Sequence, residues 1–184
     1  MASTQSLTDW AQSRFTSLYE GSPTNTDSGP VETETEAEST PNASVLDSQL
    51  QSMFTQNAQI FVNHSEPMSV EEFKNHLGQT FGTNKATAEW KECFEVGDRN
   101  EETQSQAEGT TGIVAGYLIV TRTLKFRIRA TPAKNHTHIS LSAKIVHDPE
   151  ATSSTDQDKR RITQLFFTSV MKAAPIHIQG AVRH

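Results

Sequence analysis

Cysteine is almost missing from this chain: Cys93 is the only one among 184 residues. That excludes an internal disulfide and any metal site built on several thiolates. Long apolar runs are absent as well, none approaching the roughly 20 consecutive residues that a membrane span requires. The opening MASTQSLTDW has neither a basic n-region nor an apolar h-region. The expectation is therefore an intracellular, cytoplasmic chain with no membrane partner. Basic residues are outnumbered, 16 Lys and Arg against 22 Asp and Glu, for a net charge of -6. Nucleic-acid binders draw their affinity from neutralising phosphates, so no nucleic-acid partner is expected. No GxGxxG or GxxxxGK is present, and no phosphate cradle is offered. The three N-x-S/T triplets, at Asn42, Asn63 and Asn135, read as chance matches to a short pattern.

What the chain does have is one long alternating segment, Gly112 to Ala130, GIVAGYLIVTRTLKFRIRA. Val114, Leu118, Val120, Leu124, Phe126 and Ile128 all fall on even positions, the period of a strand with one apolar face. Gly116 is the natural site for a bulge or bend in it.

Around this segment the chain reads in order. Residues 4–20 carry Leu7, Trp10, Ala11, Arg14, Phe15 and Leu18 at helical spacing, with Ser6 and Asp9 at the start. Residues 21–44 hold five acidic side chains, three Pro and no basic residue; such a segment cannot bury enough surface to order itself and reads as a disordered acidic insert. A second helix is expected over 44–57 and a short strand over 59–64. Ser69 and Glu72 form the signature of a capping box for a third helix with Val70, Phe73, Leu77 and Phe81. Thr87–Val96 reads as a strand with Ala88, Trp90, Phe94 and Val96 on one face, and 136–147 as another with Ile139, Leu141, Ala143 and Ile145. RRITQLFFTSVMKAAPI, starting at Arg160, fits helix or strand; its Thr, Ile, Phe and Val content favours strand. Helices first and long strands last give one α+β domain over 1–184, its helices on one side of an antiparallel sheet.

FTQNAQIFVNHSEPMSVEEFKNHL in the middle of the chain, ISLSAKIVHD and RRITQLFFTSV near its end, and this element order resemble the NTF2-like (SnoaL-like) superfamily, in particular its fungal NTF2-like domain proteins. The resemblance covers about 4–20 and 44–180. It implies an α+β NTF2-like cone and, as in many such folds, a homodimer through the outer sheet face. The superfamily hosts lyases, isomerases, small-ligand binders and non-catalytic partner-binding domains, so it does not name a reaction.

If even positions line the cone, Glu92 and Arg122 point inward among apolar neighbours and pair across the sheet, either as a structural ion pair or with Arg122 as an anion or carbonyl clamp oriented by Glu92. His64 shares the parity of Ile60 and Val62, and scytalone-dehydratase-like members use inward histidines for elimination, so His64 is the candidate general acid or base. Trp10, Phe54, Trp90 and Arg122 are the candidate lining of a pocket for a small apolar ligand; plain core is the competing reading of the aromatics. His136 and His138 lie on a polar face with no third ligand in view, which favours solvent or a subunit interface over a metal. Cys93, placed on the outer parity beside Glu92 and Glu95, is not a nucleophile, since neighbouring acids raise a thiol pKa. The reading is a cofactor-free, non-catalytic domain that binds a small ligand or a second copy of itself, with a SnoaL-like lyase or isomerase as the alternative.

Overall fold

The computed structural model describes residues 5–20, 41–81, 86–97, 111–128, 131–149 and 158–174. Three helices and five strands follow in the order α1 (Leu7–Glu20), α2 (Pro41–Met53), β1 (Phe54–Val62), α3 (Val70–Phe81), β2 (Ala86–Gly97), β3 (Gly112–Ile128), β4 (Thr131–His147) and β5 (Arg160–Ala173). The strands form one sheet in the order β1-β5-β4-β3-β2. Pairings between β2, β3, β4 and β5 are antiparallel, and β1 lies parallel to β5 at one edge. The sheet is therefore mixed rather than purely antiparallel. All three helices cover the same face, which is the α+β cone expected from the sequence. No helix among the described residues is long and apolar enough to cross a membrane.

Local chemistry sets the helix starts. Ser6 Oγ accepts from the Asp9 amide at 3.0 Å, satisfying one of the amides left over at the head of α1. At α3 the capping box closes in both directions: Glu72 Oε2 accepts from Ser69 N at 2.7 Å, and Ser69 Oγ accepts from Glu72 N at 3.3 Å. α1 buries Leu7, Trp10, Ala11, Phe15, Leu18 and Tyr19, the expected stripe with Tyr19 in place of Arg14. On the sheet, Val114, Leu118 and Val120 of β3 interleave with Ile139, Leu141, Ala143 and Ile145 of β4 and Leu165 and Phe167 of β5 beneath the helices. The final segment is a strand, as its composition favoured.

Three details differ from expectation, and one expectation falls outside the described residues. α2 stops at Met53, and Phe54 opens β1 because it pairs with Ile162 of β5. A tertiary pairing captures a residue whose spacing also suited the helix. β4 begins at Thr131, five residues before His136, and extends the pairing with β3. The acidic insert expected over 21–44 lies outside the described residues, apart from 41–44, which open α2. The bulge expected at Gly116 sits instead on the neighbouring strand, between Trp90 and Glu92.

Candidate functional site

That bulge decides which side chains face which way. An extra residue in one strand of an antiparallel pair shifts every later side chain to the opposite face. Up to Trp90 the register is regular, with Ala86 opposite Arg122, Ala88 opposite Val120 and Trp90 opposite Leu118. Beyond it Glu92 pairs with Tyr117, Cys93 with Gly116, Phe94 with Ala115 and Val96 with Ile113. Glu92, Phe94 and Val96 therefore lie on the outer face, while Cys93 and Glu95 turn toward the helices, reversing the sequence parity for this half of β2. Gly116 makes room for the arrangement: a Cβ there would meet Trp90 Cζ3 at 2.6 Å. The turned-in Glu95 Oε2 accepts from Thr8 N at 2.6 Å, placing a carboxylate at the positive end of α1.

The inward candidates divide accordingly. Glu92 is exposed and lies six positions along β2 from Ala86, the residue opposite Arg122, so the expected Glu92–Arg122 pair does not form. Arg122 is buried, 5% exposed, with Tyr19 as its electrostatic neighbour; burial pushes the guanidinium down to about 10, and Tyr19 opposes that shift. Burial likewise drives the Tyr19 phenol upward, against the pull of Arg122. His64 does not reach inward. β1 ends at Val62, and Asn63 and His64 both adopt left-handed backbone, φ 50 and 61, which breaks the alternation and leaves the imidazole exposed. Asn63 pins this turn to β5, its amide donating to Phe167 O and its Oδ1 accepting from Ser169 N, each at 2.8 Å.

Trp10, Phe54 and Trp90 lie on the helix side but in separate packings. Trp10 packs against both Arg14 and Arg160, whose guanidinium carbons stand 5.8 and 5.7 Å from its ring centroid. Phe54 meets Phe73 edge-on, and Phe73 meets Phe167 in turn. Trp90 meets Phe15 at 6.3 Å and donates from Nε1 to Thr16 Oγ1 at 3.2 Å. Cys93 is half-buried rather than on the outer surface; burial raises its thiol, with Glu95 and Asp9 adding to the shift and Gln12 opposing it. Among the described residues no group of three or more His, Cys, Asp or Glu is placed to hold a metal ion.

The resemblance implied a dimerising outer sheet face, but sequence reading did not place Phe94 and Val96 on it. One row crosses all five strands, Phe94, Ala115, Ser142, Phe166 and Phe61, with aromatics at both flanks and small side chains between. Phe61 and Phe166 stack at 4.7 Å and 11°. The next row begins Val96 and Ile113, and another runs Ile119, His138, Val170. Phe94 is 57% exposed, Val96 63%, Ile113 48%, Phe166 49% and Val170 51%. Five large apolar side chains half in water on one face of one sheet mark a surface made to be covered. Among the described residues its carboxylates, Glu89 and Glu92, lie on the edge strand β2, with Lys91 bonded to Glu89; Lys134 and Lys144 stand on the central strand β4 and Lys172 on β5. In the middle, Tyr117 Oη and His138 Nδ1 share a hydrogen bond of 2.5 Å, and Thr121 Oγ1 and His136 Nδ1 one of 3.0 Å.

Each sheet edge is engaged at one point. On β2 the Ala88 amide donates to Glu20 Oε1 at 2.8 Å; on β1 Ile60 exchanges two backbone hydrogen bonds with Met68, at 3.1 and 2.8 Å. Edge-to-edge pairing is thus hindered, and the face is left.

No protein-family model matches the chain, and no curated protein does. Solved structures do. A chain of the C. albicans Mtr2–Mex67 M domain complex is 12% identical over 89% of this chain and 93% of its own, with a TM-score of 0.47. Candida albicans Mtr2 gives 14%, 89%, 92% and 0.47, and the S. rosetta CaMKII hub 14%, 70%, 85% and 0.41. This chain's own architecture, three helices on one face of a curved mixed sheet, matches an α+β NTF2-like cone.

Proposed function

We propose that this is a non-catalytic interaction domain whose outer sheet face binds a second copy of the chain. The observation that carries the reading is the row that crosses all five strands from Phe94 to Phe61, together with the exposed Val96, Ile113, Phe166 and Val170 on the same face. In a two-fold face-to-face pair centred on the sheet, an axis along the strands places one copy's β2 over the other's β1 and its β3 over the other's β5. Phe166 then lies over Ala115, large against small, and Phe94 over Phe61. An axis across the strands would set β2 on β2 and bring Glu89 and Glu92 of the two copies together, whereas the first arrangement lays them over the uncharged β1. Size supports it too: five strands about 4.8 Å apart and of this length make a face of roughly 20 by 40 Å, about 800 Å² per partner, the size of a standard stable interface.

The lyase alternative asks for an acid-base group turned toward the helices, and its candidates His64 and Glu92 are solvent-facing. A small-ligand role would rest on Trp10, Phe54, Trp90 and Arg122, which are engaged in separate contacts within the core.

Sedimentation equilibrium tests the proposal. The native chain is expected to dimerise, and Phe94→Asp with Phe166→Asp to leave a folded monomer, because both substitutions act on outward side chains and occur twice per dimer. A double variant that associates as tightly as the native chain, with its circular dichroism unchanged, refutes this interface.

A further inference from the structure

We infer that association through this face is acid-labile and that His136 and His138 are the groups that sense pH. The inference rests on the dimer reading above and adds regulation to it. β4 is the middle strand of five, so any two-fold packing centred on the sheet covers it, and both imidazoles project from β4 on the covered side. Each is already half-buried, so covering removes the rest of its water.

What faces them does not compensate a positive charge. Around His138, β3 presents Ile119 directly opposite and the Tyr117 hydroxyl, and β5 presents Val170. Around His136, β3 presents Thr121 and β5 presents Lys172. On β4 itself the charged neighbours on this face are Lys134 and Lys144. The acids within the same sheet, Glu89 and Glu92, lie on β2 with β3 in between. A dimer brings four such imidazoles together with six of these lysines, against the four carboxylates of the two β2 strands.

The sign follows from linkage. Covering an imidazole among apolar and cationic neighbours disfavours its charged form, so dimerisation must expel protons at low pH. Association is fully present above the range in which imidazole titrates and is lost as pH falls through it.

The test is the dimer dissociation constant by sedimentation at about pH 8 and about pH 5.5 for the native chain and for His136→Gln with His138→Gln, circular dichroism confirming the fold throughout. The expected result is an affinity lower by about tenfold or more at the acid pH in the native chain, and a pH dependence that flattens in the double variant. Equal affinity at both pH values overturns the inference and leaves the interface standing. An acid loss of the same size in both proteins also overturns it. A native chain that stays monomeric at about pH 8 overturns the inference together with the dimer reading. If the double variant fails to associate at either pH, the single variants decide: each must shrink the pH dependence, and if neither does, the inference fails.

Discussion

Replacing Gly116 by Ala should destabilise the domain even though Ala suits a strand better than Gly. The added Cβ would lie 2.6 Å from Trp90 Cζ3 and 2.9 Å from the Glu92 carbonyl oxygen. The carbonyl belongs to the bulge and cannot retreat without breaking the β2–β3 register. The indole is held by its bond to Thr16 and its edge-on contact with Phe15, so tilting it loses both. Overpacking of this kind costs about 1–3 kcal/mol, the hydrogen bond adds about 1 kcal/mol, and the backbone preference for Ala returns about 0.5–1 kcal/mol. The net loss is about 2 kcal/mol, or roughly 4–8 °C in the thermal midpoint of a chain this size. Urea unfolding followed by tryptophan fluorescence measures it. Gly78→Ala on α3, where an added Cβ meets nothing within 4 Å, is the control and should gain about 0.5–1 kcal/mol. Trp90→Phe supplies the second half of a cycle, since the smaller ring relieves the clash and Gly116→Ala should then cost less. If Gly116→Ala is as stable as the native chain, or costs as much in the Trp90→Phe background as it does with the indole present, the account of the bulge is wrong.

Ser69→Ala removes the hydroxyl arm of the α3 capping box and should lower the thermal midpoint by about 2–4 °C in a calorimetric scan. Arg160 grips Asp158 through Nε and Nη2 and the Gln5 carbonyl through Nη1, at 2.7 to 3.1 Å. Arg160→Lys cannot reproduce that fork and should destabilise the chain by about 1–3 kcal/mol in urea unfolding. Burial alone would raise the Asp158 carboxyl, but the hydrogen bonds and charge of Arg160, helped by Arg14, hold it below the usual carboxylate range. A depressed carboxyl contributes stability above its unfolded value, which is lost as pH falls through its folded one. Asp158→Asn should therefore show a shallower loss of stability between about pH 5 and pH 3 than the native chain.

The sequence by itself determined the periodic elements and their faces wherever one strand or helix could be read alone. Val114, Leu118 and Val120 of β3 and Ile139, Leu141, Ala143 and Ile145 of β4 face the helices, because alternation is a local property of an extended chain. The Ser69–Glu72 box begins α3 and the Ser6 cap begins α1, because capping uses side chains within one turn of the amides they satisfy. The order of these elements was enough to anticipate helices on one side of a sheet.

Only the tertiary structure decided the parity of β2 after Trp90, and with it the site. A bulge depends on what the neighbouring strand offers, here a glycine under an indole and a helix start that takes a carboxylate from Glu95, and none of that is local to WKECFEV. Reading through it turned Phe94 and Val96 into core and Glu92 into the partner of Arg122. The same limit hid the row from Phe94 to Phe61, whose members lie as far apart in the chain as Phe61 and Phe166 and meet only because β1 docks parallel to β5. Side-chain direction along one strand follows from covalent geometry, whereas which strands lie side by side, and in what register, is settled by the packing of the whole.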